Sequence, residues 1–462
     1  MKKFDLIVIG SGSAGSSVIE AAHARGAKVC VIERDAIGGE CPNYACVPAK
    51  AMLKSAKLYY STKHHLRKYG VHASNVRFSF SEIMARKKDV VDTITGKGKR
   101  LKKFWGDMGV TVVKGNAHFV DAHTVRVGSK LLKAKGFVIA TGAVDFIPPI
   151  DGIDQVPYLD YRAVTQLRRQ PKSIIIVGGG PVGCEFGTFF TLLGTKVTIM
   201  QLAPLILHRE DEEISLIAEK ALKDQKAKVL TQTKVLAVQK DGRGVKVTYQ
   251  VGEGPRRTMR ADALLLAAGK RANIAGLNVE AAGVKLDRKG RLKVSETLQT
   301  TAKNIFAAGD VSGGMLFTHM AHHEGMIAGE NIVKVLKKKK GLKKRDMRVV
   351  PRVTFTLPEV ASVGMTTKEA AGARKKFAVG SFPLGALGRA VTEGERVGVV
   401  KLVVEKKSRL ILGGHAIGVA AGEMIHEVAL AMQMGVTVDD LVAMTHAFPT
   451  WSEGVLAAAS SV

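Results

Sequence analysis

The sequence predicts an α/β chain made of two copies of one strand–glycine loop–helix unit, followed by an α+β domain towards its C-terminal end. Three observations predict it. Phe4-Asp5-Leu6-Ile7-Val8-Ile9 runs into Gly10-Ser11-Gly12-Ser13-Ala14-Gly15, and Ser173-Ile174-Ile175-Ile176-Val177 runs into Gly178-Gly179-Gly180-Pro181-Val182-Gly183. Beyond about residue 347 there is no further copy. That stretch reads as an antiparallel sheet with helices, and Ala420 to Met434 has helical apolar spacing.

A strand, then G-x-G-x-x-G, then a helix is the Rossmann-like arrangement for a dinucleotide. The glycines allow a tight turn, close backbone approach to a pyrophosphate and helix–strand packing, with phosphate on the helix N-terminus. An acid at the end of the second strand binds the ribose hydroxyls. Glu33 stands there, 18 residues after Gly15, at the end of Ala27-Lys28-Val29-Cys30-Val31-Ile32. In the second copy the same offset from Gly183, past Lys196-Val197-Thr198-Ile199-Met200, lands on Gln201 rather than on an acid. Two fingerprints imply two dinucleotides.

Soon after the first loop come Cys41 and Cys46, in Gly38-Gly39-Glu40-Cys41-Pro42-Asn43-Tyr44-Ala45-Cys46-Val47-Pro48-Ala49-Lys50. On an ideal helix these positions sit about 140° apart around the axis and ~7.5 Å apart along it. A disulfide wants Cα atoms within about 6.8 Å, so bridging them requires an irregular first turn, which Pro42 and Gly38-Gly39 can supply. Sulfurs at a helix N-terminus also gain thiolate character from the helix dipole. In isolation such a pair reads equally well as two packed thiols. Between two dinucleotide sites it reads as a redox pair, and the chain as an oxidoreductase. Cys30, inside a strand, and Cys184, just after the second loop, read as structural.

Further blocks carry a resemblance that covers nearly the whole chain: Ala140-Thr141-Gly142, Gly269-Lys270-Arg271-Ala272-Asn273, Ala308-Gly309-Asp310, the run from Pro351 to Ala361, and Pro449-Thr450-Trp451-Ser452-Glu453. In this order, with the cysteine segment, they resemble the flavoprotein pyridine nucleotide-disulfide oxidoreductases. That group holds dihydrolipoyl dehydrogenase, glutathione reductase and mercuric reductase. The resemblance implies FAD at the first loop, held by Gly10, Gly12, Gly15, Glu33, Lys50, Ala117, Thr141, Gly142, Asp310 and Ala321, with Asp310 at the ribityl chain. It implies NAD(H) or NADP(H) at the second, held by Gly178, Gly180, Gly183, Glu185, Gln201, Val235 and Gly269. Cys46 is then the sulfur facing the flavin and Cys41 the interchange thiol. Lys50, positioned by Glu185, stabilises charge on the reduced ring. The C-terminal domain is implied to form a homodimer interface, and no metal site is expected.

These landmarks divide the chain. Residues 1–148 and 269–342 form an FAD-binding domain with a helical excursion near 50–105; 149–268, opened by the Pro148-Pro149 turn, form the NAD(P)-binding domain; 347–462 form the dimerisation domain. A chain of 462 residues has room for three or four domains, and 46% hydrophobic content supplies their cores. No stretch reaches the ~18 apolar residues of a membrane span. Met1-Lys2-Lys3 leads into the first strand without a signal peptide's apolar region and cleavage site. Four cysteines in this length make no disulfide scaffold, and a redox pair fits a reducing cytoplasm. Seventy basic against 41 acidic residues give a net charge of +29. The basic residues cluster in Arg86-Lys87-Lys88, from Lys97 to Lys103, and from Lys334 to Arg348. The last run reads as a solvated linker. Such charge admits nucleic acid or another anionic surface as a partner, but the clusters lack interleaved aromatic residues.

One departure bears on the electron acceptor. Most disulfide-handling members of the group end in His-x-His-Pro-Thr, where the second His, paired with a Glu, moves protons to and from the interchange thiol. Here Thr445-His446-Ala447-Phe448-Pro449-Thr450 places Phe448 at that position and keeps His446 and Glu453. A positioned acid–base group is worth about 10²–10⁴-fold, so either His446 or Glu453 substitutes or the acceptor needs no such shuttle. Mercuric reductases resolve their metal with a C-terminal cysteine pair, whereas no cysteine follows Cys184. The expectation is an FAD-dependent NAD(P)H:disulfide oxidoreductase, most like dihydrolipoyl dehydrogenase, acting on a small-molecule or lipoyl-type disulfide. The alternative is a reductase of a quinone, a metal ion or a nicotinamide, mercuric-reductase-like or a diaphorase. A slow redox-sensing or binding flavoprotein is the reading from a different class.

Overall fold

The computed structural model describes residues 2–462. Its contacts group the chain into two units: the chain up to Pro48 with Ala85–Phe146 and Lys270–Asp346, and Ala49–Met84 with Ile147–Gly269 and Met347–Val462.

The first unit grows from the strand Lys2–Ile9, whose Leu6, Ile7 and Val8 are all fully buried. Successive residues of a strand point to opposite faces, so a continuous apolar run must be covered on both sides, as parallel sheets are. The strand pairs in parallel with Val29–Glu33 on one side and Lys130–Ile139 on the other. Thr111–Lys114 continues the sheet beyond Val29–Glu33. Lys130–Ile139 pairs antiparallel with Thr124–Val127 through its first half and parallel with Ile305–Ala307 through its second. Leu6 and Val8 face a core shared with Val18 and Ile19 of the helix Ser13–His23 and Ala328 and Ile332 of the helix Thr318–Leu336. Ile7 and Ile9 face Phe119, Phe137 and Val279 on the opposite side. The two helices touch backbone to backbone: a Cβ at Gly325 would lie 2.4 Å from the Ala14 carbonyl oxygen.

The second unit repeats the strategy and adds antiparallel sheets. Lys228–Leu230, Lys196–Met200, Ser173–Val177 and Ala263–Leu266 form a four-stranded parallel sheet, and the helix Pro181–Leu192 follows its glycine loop. Thr233–Asp241, Gly244–Val251 and Arg256–Ala261 form a three-stranded meander. The C-terminal sheet has five antiparallel strands in the order Arg352–Thr354, Glu359–Gly364, Ile411–Gly418, Val399–Glu405, Phe377–Pro383. Met424, Ile425 and Val428 of the helix Ala421–Met434 and Val455 and Ala458 of Glu453–Ser460 share its core. The stretch after the cysteines is helical over Cys46–His64, Phe80–Thr95 and Arg100–Asp107. The fold class is therefore α/β, with a parallel sheet behind each glycine loop and an α+β domain at the C-terminal end. Among the described residues no helix is long and apolar enough to cross a membrane.

The basic run Lys334 to Arg348 departs from the solvated linker expected of it. Lys334 still belongs to the helix Thr318–Leu336, and Leu342 packs on the first unit's core. Asn331 straps the chain down, donating from Nδ2 to the Lys343 carbonyl at 2.8 Å and accepting the Lys343 amide at 2.9 Å. Arg345 reaches Glu324 at 2.7 Å. One leucine, one asparagine and one buried carboxylate hold a segment whose lysines alone would keep it in water.

Candidate redox and dinucleotide sites

In the first unit Gly12 is the N-cap of Ser13–His23 and supplies no side-chain cap. The first-turn amides are thus left to an anion. A Cβ at Gly39, where φ is +72°, would come within 2.6 Å of the Gly12 Cα, so these two loops meet backbone to backbone. Glu33 is buried; its Oε2 accepts the Ser11 amide at 2.9 Å and the Ser11 hydroxyl at 2.6 Å, and its Oε1 accepts the Asp35 amide at 2.7 Å. Gly10 and Gly15 complete the loop, for a Cβ on Gly15 would meet the Gly10 carbonyl at 2.0 Å.

The other candidate flavin residues of this unit lie on neighbouring loops. The Thr141 carbonyl accepts from Asn273 at 3.0 Å, while its hydroxyl oxygen is buried without a hydrogen-bond partner among the described residues. Gly142, at φ +69°, accepts the Asn273 amide at 3.0 Å. Asp310 follows Gly309, which sits against Ala321 of the helix Thr318–Leu336. Burial pushes the Asp310 carboxyl up to about 6, with Lys270 opposing and Glu40 and Glu324 adding to the rise. Glu324 accepts the Gly309 amide and the Ser312 hydroxyl, each at 2.8 Å, and so holds this loop. Ala117 begins the strand Ala117–Asp121 and pairs with Val127 on the sheet's antiparallel extension. An uncapped helix N-terminus, a backbone-tight glycine loop, an orphaned buried hydroxyl and a carboxyl held towards its neutral form fit a flavin dinucleotide.

The cysteine segment is broken where a bridge needs it to be. Glu40–Asn43 forms one short helical turn, Tyr44 leaves helical geometry at φ −136°, and the helix Cys46–His64 then begins at Cys46 itself. Cys41 and Cys46 are half-buried, whereas Cys30 and Cys184 are buried. Burial pushes the Cys30 thiol up to about 12 and the Cys184 thiol upward as well, so neither supplies a thiolate near neutral pH. Cys46 Sγ lies 3.4 Å from Thr318 Oγ1.

In the second unit Lys50 Nζ lies 2.7 and 2.9 Å from the two carboxylate oxygens of buried Glu185. Glu185 Oε1 also accepts the Phe355 amide at 3.0 Å, and the ammonium sits 4.7 Å from the centre of the Phe355 ring. The same strand-end phenylalanine thus orients both members of the pair. Gly180 caps Pro181–Leu192 without a side-chain cap, and a Cβ there would meet nothing within 4 Å. No packing inside the protein demands glycine at 180, and the open space beside it fits the close approach of a phosphate. Gln201 Oε1 accepts the Gly179 amide at 3.0 Å, the counterpart of Glu33 on Ser11, and its Nε2 lies 3.2 Å from His208 Nδ1. Burial, then Arg209, depress the His208 pKa. Gly178 and Gly183 make the turn, a Cβ on Gly183 falling 1.9 Å from the Gly178 carbonyl. Val235 is buried in the strand Thr233–Asp241, and Gly269 follows Ala263–Leu266 with φ +119°.

Residues 4–325 match the family model of the pyridine nucleotide-disulphide oxidoreductases, and residues 350–459 match that family's dimerisation domain. The chain belongs to this family. It is 35% identical over 453 residues to a mercuric reductase of Bacillus cereus, covering 98% of this chain and 70% of that one. It is also 35% identical over 468 residues to a dihydrolipoyl dehydrogenase of Thermus scotoductus, covering 100% and 98%. The solved Cu(II) complex of the HOCl-induced flavoprotein disulfide reductase RclA from Escherichia coli superposes with a TM-score of 0.86 at 30% identity, covering 100% of this chain and 99% of that one. The protein is an FAD-dependent oxidoreductase that uses NAD(P)H.

Within this oxidoreductase the C-terminal motif has an arrangement that the sequence did not reveal. Phe448 is 77% exposed. Glu453 opens the helix Glu453–Ser460 and accepts the Thr450 amide at 2.9 Å. The partner of His446 is instead Glu427, on the helix Ala421–Met434. Thr318 and Glu427 were invisible to motif reading, and Phe355, though inside the run from Pro351 to Ala361, carried no sign there of its contact with Glu185. Each is an ordinary residue in an ordinary pattern, and only packing brings it to its partner.

Proposed function

We propose that this oxidoreductase passes two electrons from NAD(P)H to a dithiol–disulfide acceptor through the Cys41–Cys46 pair, with Cys46 on the flavin side and Cys41 exchanging with substrate. The observation that carries this reading is that the two half-buried cysteines flank a break in helical geometry, while the other two cysteines are buried. Residues 1–148 and 269–342 bind FAD in this reading, 149–268 bind NAD(P)H, and 347–462 join two copies into a homodimer. Exposed Leu430, Met434 and Phe448 support the last assignment. Bound FAD supplies the relay between nicotinamide and sulfur. A hydride equivalent delivered to the Cys41–Cys46 bond leaves Cys41 as a thiol and Cys46 as a thiolate. Cys41 then attacks the substrate disulfide, one substrate sulfur leaves as a thiol, and Cys46 displaces the other to restore the bond. Lys50, fixed by Glu185, supplies positive charge as electrons arrive.

A second reading takes a metal ion or quinone as acceptor. Phe448 favours it, because neither reduction needs a base at that position, and mercuric reductases stand among the relatives. Steady-state turnover with lipoamide, a quinone, Hg²⁺ and Cu²⁺ tests the choice. The proposal expects lipoamide turnover that Cys41→Ser abolishes. Fast quinone or metal reduction with none on lipoamide would replace it with the second reading.

A further inference from the structure

We infer that Thr318 is the hydrogen-bond donor that holds Cys46 as a thiolate, and that this threonine sets the pH at which the reduced pair becomes reactive. The inference rests on the reading above, in which Cys46 is the flavin-side sulfur. Thr318 Oγ1 lies 3.4 Å from Cys46 Sγ, within reach of an O–H donor to a large sulfur acceptor. Thr318 is the first residue of the helix Thr318–Leu336, whose N-cap is Phe317 and whose cap uses no side chain. The hydroxyl is therefore not engaged in capping and can face the sulfur.

Three effects act in one direction. A threonine hydroxyl carries one donor, and a thiolate accepts it far better than a thiol or a disulfide sulfur does, so the contact strengthens on reduction. Cys46 opens the helix Cys46–His64, whose N-terminal partial positive charge favours an anion at that position. Thr318 opens a second helix, whose N-terminus adds the same sign of charge. Near the contact in sequence, the charged and titratable groups are Glu40 and Cys41 in the preceding turn, Lys50 one turn along the cysteine helix, and His319, His322, His323 and Glu324 in the first two turns of the threonine helix. Of these, His322 Nδ1 is engaged with Ser17 Oγ at 2.6 Å. A hydrogen bond to a charged group is worth enough to move a titration midpoint by about one to two pH units.

The test compares Thr318→Val and Thr318→Ser in a Cys41→Ser background. Two midpoints are read: the pH at which the thiolate's long-wavelength absorbance with bound flavin appears, and the pH dependence of Cys46 alkylation by iodoacetamide. The valine variant is expected to raise both midpoints by about one to two pH units, and the serine variant, which restores the hydroxyl, to leave them near the parent's. Alkylation reads the midpoint even in a variant that loses its flavin. A valine variant whose midpoints stay at the parent's overturns the role of Thr318. Long-wavelength absorbance that survives Cys46→Ser overturns instead the assignment of Cys46 on which the inference rests, so the two failures are distinct.

Discussion

His446 Nε2 lies 2.7 Å from Glu427 Oε1, and the same ring's Nδ1 lies 3.1 Å from the Met444 carbonyl oxygen. A ring whose two nitrogens both face oxygen acceptors directs no lone pair at an incoming thiol. The side chain of His446 is also only 3% exposed. His446 thus brackets the helix Ala421–Met434 to the C-terminal motif, and we propose that it does not replace the imidazole that Phe448 displaces.

His446→Ala is accordingly expected to change lipoamide turnover little while lowering stability by about 1–3 kcal/mol, because Glu427 is left without its partner. Phe448→His is expected to raise lipoamide turnover, by up to ~10²–10⁴-fold if Glu453 turns to orient the new ring. Flavin reduction by NAD(P)H should be unaffected. Denaturant midpoints and steady-state rates check both; loss of lipoamide turnover in His446→Ala with stability intact would make that histidine the base after all.

Gln201 occupies the place of Glu33 without its charge, so nothing there repels a 2′-phosphate. The native enzyme is expected to discriminate between NADH and NADPH by less than about a hundredfold, or ~2.7 kcal/mol. A carboxylate can accept the Gly179 amide as Glu33 accepts that of Ser11, so Gln201→Glu should preserve the loop and shift preference towards NADH by about tenfold or more. Ratios of kcat/KM for the two coenzymes decide it. An unchanged ratio would place the determinant elsewhere, with His208 and Arg209 next to be substituted.

Asp310 gives the apoprotein a pH signature. Its folded pKa of about 6 lies above its ordinary value of 3.8, so between those values the folded state binds more protons than the unfolded one. Stability contributed by this group is full below about 4 and is lost as pH rises through about 6. A rise of about two units corresponds to roughly 3 kcal/mol. Asp310→Asn is expected to flatten this slope and to stabilise the apoprotein at pH 7, while weakening flavin retention. Apoprotein unfolding followed from pH 4 to pH 8 measures the slope, and an identical slope in the variant refutes the assignment.

Asp211 behaves in the opposite sense. It is 1% exposed, and although burial opposes its ionisation, hydrogen bonds from Lys401 at 2.7 Å and from the Thr367 hydroxyl at 2.7 Å hold it down to about 2. Its contribution is present above about 4 and is lost as pH falls towards 2. Removing the cation leaves a buried charge unpaired, so Lys401→Ala is expected to cost about 3–5 kcal/mol at neutral pH. The difference from the parent should shrink as pH falls from about 4 towards 2, because without Lys401 the buried Asp211 takes up its proton before the parent's does. A pH-independent difference would point to lost packing by the lysine stem instead.

The sequence by itself determined the two glycine loops, the acid or amide ending each second strand, the cysteine pair and the α/β class. Each is governed by local rules. A strand that turns within a few residues into a phosphate-binding helix needs glycine at set offsets, whatever the rest of the chain does. The broken turn between Cys41 and Cys46 was legible for the same reason, since Pro42 and two glycines restrict that backbone directly. Only the tertiary structure decided the partners. Thr318 meets Cys46 from 272 residues away, Phe355 meets Glu185 from 170, and Arg345 meets Glu324 across a segment whose composition pointed to solvent. A hydrogen-bond partner is selected by where two elements pack. Packing depends on apolar side chains such as Leu342, whose burial no local pattern records.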